Sequence, residues 1–266
     1  MRGRILIVAG SDSGGGAGIQ ADIKTVTALD GYAMTAITAL TAQDTLGVHG
    51  VVPVDPGFIR QQMELCIADI GIDAIKTGML HDSQVIQTVA DTVKRQAPGA
   101  KFVVDPVMVA KGGHKLLQDE AIDAVRRRLA PLATVMTPNT EEATALTGIR
   151  IEAVQQMEQA GRAILALGCG AVLMKGGHLA GDRVHDLLVE PAGTTRFESP
   201  RVDTRSTHGT GCTLASAIAT GLAQGLDLVA AVRRARAYVL EAIRQAPGLG
   251  KGHGPLDHAH TVKPFP

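Results

Sequence analysis

Short apolar runs of strand character alternate with amphipathic helical stretches along this chain, and few folds accept that pattern. A near-continuous apolar strand is buried on both faces, and strands joined through helices run parallel. The pattern therefore specifies an α/β fold, a mostly parallel sheet with helices on both faces. Strands are expected over residues 5–9, 33–39, 74–76, 101–104, 134–136 and 171–174, with an edge strand over 48–54. Helices are expected over 17–29, 56–70, 83–95, 119–129, 141–146, 152–166, 211–222 and 228–244, and a hairpin over 183–189 and 194–198. Pro56 suits the first turn of its helix. No repeat or low-complexity linker interrupts the 266 residues, so a single domain over 1–266 is expected.

Composition removes several function classes. Formal net charge is zero, aromatics are 2% and tryptophan is absent, which leaves no basic surface or stacking platform for nucleic acid. The three cysteines are far apart and form no CxxC pair, which disfavours a disulfide framework or a zinc site. His253, His258 and His260 have no matching ligand set elsewhere, so no metal is assigned to them. The apolar run at 5–9 is too short for a signal peptide, and no run reaches the roughly 18 residues of a membrane span. The expectation is a soluble cytoplasmic protein with no membrane and no nucleic-acid partner. The basic run Arg126-Arg127-Arg128 reads as a solvated helix face.

The chemistry gathers where strands end. In sheets of this kind ligands bind beyond the carboxyl ends of the strands, and Gly10, Asp105, Asn139 and Lys175 fall there. Thr207-His208-Gly209-Thr210-Gly211-Cys212-Thr213 runs straight into a helix. Its first-turn N–H groups and helix dipole make a phosphate cradle. A thiol in that field should have a lowered pKa, making Cys212 a candidate base. Read alone, the segment also fits a glycine turn that caps a helix above a small buried cysteine. Residues 10–22 form a glycine-rich loop between a strand and a helix. It lacks the Gly-Lys-Ser/Thr of a Walker loop, and Ile19 breaks G-x-G-x-x-G. A loop on the side of the acceptor substrate is the better reading.

Asp105 and Glu142, at neighbouring strand ends, suit Mg²⁺ held through oxygen and water, with Asn139 toward phosphate. Asn139 and Glu142 also suit a plain helix cap. Lys175, in Met174-Lys175-Gly176-Gly177-His178, can bring positive charge to a transferring phosphate or simply sit in solvent. Gln43 carries the paired donor and acceptor that read a heterocycle edge. The glycines and polar tip of residues 106–115 suggest a lid that excludes water.

Taken together, seven ordered segments resemble one family. They are residues 10–22, Thr-Ala-Gln-Asp-Thr at 41–45, Lys-Thr-Gly-Met-Leu at 76–80, Asp-Pro-Val-Met at 105–108, Thr-Pro-Asn-x-x-Glu at 137–142, Met-Lys-Gly-Gly-His at 174–178 and Thr-His-Gly-Thr-Gly-Cys-Thr at 207–213. The chain thereby resembles the hydroxymethylpyrimidine/phosphomethylpyrimidine kinases of thiamine biosynthesis, from residue 5 to the Gly-His-Gly-Pro at 252–255. The resemblance implies a ribokinase-like three-layer α/β/α fold and two successive ATP-dependent phosphorylations of a hydroxymethylpyrimidine. It implies an anion hole at Gly209, Thr210, Gly211 and Cys212, with Cys212 beside the substrate hydroxyl. Asp22, Gln43, Met79 and Val107 would line the pyrimidine pocket. Asp105 and Glu142 would organise Mg²⁺, and Lys175, Asn139 and Thr207 would contact ATP. A homodimer is implied as well. A pyridoxal or pyridoxine kinase is the neighbouring alternative, and a non-catalytic pyrimidine-binding regulator is the alternative of another class. Arg236 stands where this branch often has lysine in the last helix, which opens the question of its role.

Overall fold

The computed structural model describes residues 2–108 and 119–263. One nine-stranded sheet runs through them in the order β3-β2-β1-β4-β5-β6-β7-β8-β9. The strands are β1 (Arg4–Asp12), β2 (Tyr32–Gln43), β3 (Val48–Pro53), β4 (Ala74–Thr77), β5 (Lys101–Val104), β6 (Val135–Met136), β7 (Val172–Lys175), β8 (Arg183–Glu190) and β9 (Gly193–Pro200). The run from β2 through β1, β4, β5 and β6 to β7 is parallel, and β3, β8 and β9 add antiparallel edges.

The helices are α1 (Gly18–Ala28), α2 (Pro56–Asp69), α3 (Ser83–Gln96), α4 (Asp119–Ala124), α5 (Thr140–Thr147), α6 (Val154–Leu165), α7 (Thr210–Ala223) and α8 (Leu228–Arg244). Alternation along β1 sorts them into two layers. Leu6 and Val8 pack with residues of α2, α3, α5 and α6, whereas Ile5, Ile7 and Ala9 pack with residues of α1, α7 and α8. Successive side chains of a strand point to opposite faces, so one apolar strand feeds both cores. The result is the three-layer α/β/α arrangement expected from the sequence.

Three elements depart from the sequence reading by more than two residues. The first, β1, runs on past Ala9 to Asp12 by pairing Ser11 and Asp12 with Leu40 and Thr41 of β2. The helix expected over 119–129 ends at Ala124, and residues 125–129 continue as a π turn followed by a 3-10 turn at Ala130–Leu132. Pro131 lacks an N–H and crowds the preceding carbonyls, so the α ladder cannot run on through it. β2 is longer than expected because residues 39–43 find a second partner in β3, which extends the strand to Gln43. The lid expected over 106–115 lies mostly outside the described residues.

The chain runs outward from β1 to β2 and β3, then returns to the other side of β1 with β4. That reversal opens a crevice at the carboxyl ends of the central strands, the place such sheets bind ligands.

Candidate active site

A cavity of about 470 Å³ occupies this crevice. Its walls include Asp12, Gln43, Met79, Asp105, Val107, Asn139, Glu142, Lys175, Thr207 and residues 209–212. Every residue that the sequence put forward for the site, except Asp22, thus reaches one cavity.

The charged centre stands on three adjacent strand ends. Asp105 follows β5, the segment Thr137–Asn139 follows β6, and Lys175 ends β7. Lys175 Nζ donates to Asp105 Oδ1 at 2.8 Å and lies 3.6 Å from Glu142 Oε2. Thr137 Oγ1 also donates to Asp105 Oδ1, at 2.9 Å. Burial opposes a charge on Lys175, but the Asp105 and Glu142 carboxylates outweigh it and raise the ammonium above its ordinary pKa. Burial pushes the Glu142 carboxyl up to about 7, with the Lys175 ammonium opposing and Asp105 adding to the rise.

Asn139 and Glu142 form a reciprocal capping box at the start of α5. Asn139 Oδ1 accepts from the Glu142 amide at 2.8 Å, and Glu142 Oε2 accepts from the Asn139 amide at 2.7 Å. Capping and site lining therefore coexist in the same two residues.

The start of α7 faces this centre. Gly209, its N-cap, has φ 82°, and a Cβ there would stand 1.9 Å from the carbonyl oxygen of Gly16. Only glycine fits, on both counts. A Cβ on Gly211 would come within 3.3 Å of Lys175 Nζ and 3.6 Å of Asp105 Oδ2. The small residue leaves the helix end open beside the ammonium and the carboxylate. First-turn amides of a helix have no intrahelical acceptor, so those of Gly211 and Cys212 are suited to an anion.

Two expectations need correction. The Cys212 thiol is not lowered; burial pushes it up to about 11, with Asp22 and Asp105 adding to the rise against the Lys76 ammonium and the Gly18 amide. At neutral pH it is a thiol. Asp22 does not reach the cavity. It is fully buried, accepting from Lys76 Nζ at 2.9 Å through both oxygens and from Ser216 Oγ at 2.7 Å. Asp22 is the counterion of a lysine that is itself fully buried in β4. Burial disfavours that ammonium, but Asp22 raises its pKa, and it remains charged beneath Cys212.

Sequence reasoning missed three residues here: Lys76, Asp12 and His208. Lys76 is a lysine inside a short apolar strand, a misfit that was itself a signal. Asp12 accepts from the amides of Gly14, Gly16 and Ala17 and shapes the glycine loop. His208 Nε2 lies 2.9 Å from Asp12 Oδ2. Arg236 lines the same cavity and is tied to the sheet: Nε donates to Asp186 Oδ2 at 2.7 Å, and Asp186 Oδ1 accepts from the Gly176 amide at 2.8 Å. It steadies the backbone just beyond Lys175. Two of the tail histidines pack against the last helices. His258 Nε2 lies 2.9 Å from Thr213 Oγ1, and the His260 ring lies against Tyr238 with 4.6 Å between centroids and a 38° tilt.

Comparison with known proteins agrees with the geometry. The phosphomethylpyrimidine kinase family model matches residues 12–257. The hydroxymethylpyrimidine/phosphomethylpyrimidine kinase of Streptomyces coelicolor is 49% identical over 258 residues, covering 97% of this chain and 95% of that protein. The thiamine biosynthesis bifunctional protein ThiED of Geobacter sulfurreducens is 51% identical over 258 residues; 97% of this chain is matched to 52% of that protein, so the chain spans about half its length. Among solved structures, an ADP complex of Bacillus subtilis pyridoxal kinase superposes with a TM-score of 0.91 at 40% identity, covering 97% of this chain and 98% of the other.

Proposed function

The chain belongs to the phosphomethylpyrimidine kinase family, and from that premise we propose how its cavity performs the reaction. It is a ribokinase-like phosphotransferase of thiamine biosynthesis, an enzyme rather than a pyrimidine-binding regulator. It phosphorylates 4-amino-5-hydroxymethyl-2-methylpyrimidine on the hydroxymethyl group, then phosphorylates the monophosphate to the diphosphate, as one kinase domain. The observation that carries this reading is the meeting of Lys175, Asp105 and the Gly209–Cys212 turn in one cavity.

ATP is the phosphoryl donor, in keeping with the ADP-bound pyridoxal kinase of the same fold. Mg²⁺ fits the donor set. Asp105 and Glu142 each spend one oxygen on Lys175 or a backbone amide, and Asp105 Oδ2 lies beside Gly211. Two carboxylates with waters and phosphate oxygens suit a small hard cation. MgATP would supply the phosphoryl group and neutralise charge on the leaving phosphates.

The chain's own groups do the positioning. Lys175 holds positive charge against the transferring group, steered by Asp105. The amides of Gly211 and Cys212 donate to its oxygens without reorganisation. Asn139 and Thr207 flank the nucleotide phosphates. Gln43, Met79 and Val107 hold the ring, so the hydroxymethyl oxygen lies in line. Cys212, a thiol at rest, can take the hydroxyl proton only as the thiolate, after its own proton has passed to solvent. A loose transition state demands little of a base.

The partners are thus a small pyrimidine and ATP. Leu40 and Val52 pair across β2 and β3, and with Phe58 and Leu65 of α2 they leave large apolar side chains exposed, which suits a homodimer. No helix among the described residues is long and apolar enough to cross a membrane. The free thiols of Cys66, Cys169 and Cys212 fit the cytoplasm.

Kinship with pyridoxal kinase supports one further reading, a side activity on pyridoxal. Steady-state ADP release with the hydroxymethylpyrimidine and with pyridoxal separates the two. A higher kcat/KM for the pyrimidine is expected; a preference for pyridoxal would overturn the substrate assignment.

A further inference from the structure

The ring-reading side chain is held by hydrogen bonds that settle which way round it points. Gln43 is flanked by two groups. Its amide nitrogen lies 3.3 Å from His208 Nε2, and its amide oxygen lies 3.1 Å from Thr41 Oγ1. Proton counting rejects that orientation. His208 Nε2 is 2.9 Å from Asp12 Oδ2. Burial alone would raise Asp12, but the His208 bond and the Ala17 and Gly14 amides hold its carboxyl below the ordinary range. An ionised carboxylate only accepts, so Nε2 carries a proton, in either the neutral tautomer or the imidazolium. Two N–H groups would then face each other at 3.3 Å.

The other side has the same fault. Thr41 has one hydroxyl proton, and its oxygen lies 2.9 Å from the Ser11 carbonyl as well as near the Gln43 oxygen. The one proton goes to the nearer carbonyl, Ser11 at 2.9 Å, which leaves the Gln43 oxygen at 3.1 Å facing the lone pairs of the hydroxyl. Turning the Gln43 amide by half a turn resolves both conflicts. The amide N–H then donates to Thr41 Oγ1, and the amide oxygen, on the 3.3 Å side of His208 Nε2, shares the Nε2 proton with Asp12 in a three-centre bond. Oxygen and nitrogen of such an amide are assigned by their network, and this orientation leaves no two donors facing each other.

We propose that Asp12 and His208, with Thr41 opposite, are positioning residues that lock the Gln43 amide with its oxygen toward His208, and so make the pocket selective for a ring edge of fixed donor–acceptor order. This rests on the reading above that Gln43 faces the ring. One lone pair of the oxygen and one N–H remain for the ligand. They match an exocyclic amine beside a ring nitrogen, the amidine edge of an aminopyrimidine. Pyridoxal lacks that edge. Because Asp12 and His208 are buried, with 2% and 7% exposure, the lock is shielded from competing water. It is also built into the anion-hole segment, since His208 directly precedes Gly209.

The test uses ring binding without ATP, which leaves phosphoryl transfer out. Dissociation constants for the hydroxymethylpyrimidine and for pyridoxal are measured by calorimetry on the full chain, for wild type, Thr41→Val, His208→Phe and Gln43→Ala. Thr41→Val leaves the anion-hole segment untouched and serves as the safeguard if His208→Phe folds poorly. Thr41→Val and His208→Phe should each lower the preference for the pyrimidine over pyridoxal, on the order of tenfold for one lost directed hydrogen bond. Gln43→Ala should abolish the preference. If Gln43→Ala abolishes it while both lock variants leave it intact, the lock is refuted and the ring assignment stands. If Gln43→Ala itself leaves it intact, the ring assignment falls and the lock with it.

Discussion

Replacing Lys76 by methionine tests the electrostatic floor of the site. Lys76 and Asp22 have no exposure, and Nζ is 2.9 Å from both carboxylate oxygens. Lys76→Met removes the cation and leaves Asp22 with the Ser216 hydroxyl as its side-chain partner. Breaking a buried pair from one side costs about 3–5 kcal/mol, against a total stability of roughly 5–15 kcal/mol for a domain. Lys76→Met/Asp22→Asn removes both charges at nearly constant volume and keeps the Ser216 bond. Replacing both partners is close to neutral, so the double variant should recover about 2 kcal/mol or more of the single variant's loss. Guanidinium unfolding at pH 7, with equal m-values, reads both numbers. The single variant has an added signature. Burial already holds Asp22 above its ordinary pKa beside Lys76, and loss of the ammonium raises it further, so between the unfolded and folded pKa the variant's folded state binds more protons than its unfolded state. Its deficit should shrink as pH falls from 7 toward 4. A loss below about 1 kcal/mol, or simple additivity in the double variant, would refute the pairing argument.

Other consequences follow from the same geometry. With its pKa near 11, Cys212 should react with iodoacetamide at pH 8 roughly two orders of magnitude more slowly than a free cysteine; a rate equal to free cysteine would contradict the buried-thiol description. Cys212→Ala should lower kcat by about 10²–10⁴ if the sulfur takes the hydroxyl proton, and a folded variant with full turnover would remove that role. Burial, aided by the Lys24 ammonium, pushes His258 down to about 4. A histidine lowered in the folded state binds protons more readily when unfolded, so its contribution is complete above pH 6.5 and is lost toward pH 4, on the order of 3 kcal/mol. The stability gap between wild type and His258→Gln should therefore change across that window in pH-dependent unfolding; parallel curves would show that His258 does not titrate as described.

The sheet was legible because its strands declare themselves twice, through apolar runs and through the residues that follow them. β5 and α8 have the bounds read from the sequence, since Asp105-Pro106 stops the one and Asp227 caps the other. Asp105, Lys175, Glu142 and the Gly209–Cys212 turn were legible for the same reason: strand ends and helix starts are fixed by local chemistry, and the fold brings them together. What escaped was long-range electrostatics. Asp22 and Lys76 are 54 residues apart, and nothing local shows that β4 slides its lysine under α7 to meet Asp22. The helix dipole alone would have lowered Cys212; burial beside two carboxylates reverses it, and those neighbours come from β5 and α1. His208 and Asp12 are 196 residues apart, and their meeting through Gly16 and Gly209 is likewise a property of the packed loops.

The central claim is that one cavity carries out both phosphorylations. The most direct measurement is a mass-resolved time course from the hydroxymethylpyrimidine with excess MgATP, for wild type and for Asp105→Asn. The wild type should show monophosphate rising and then falling as diphosphate accumulates, and Asp105→Asn should depress both steps together. Reaction halting at the monophosphate, or an Asp105→Asn variant that loses one step and keeps the other at full rate, would contradict it.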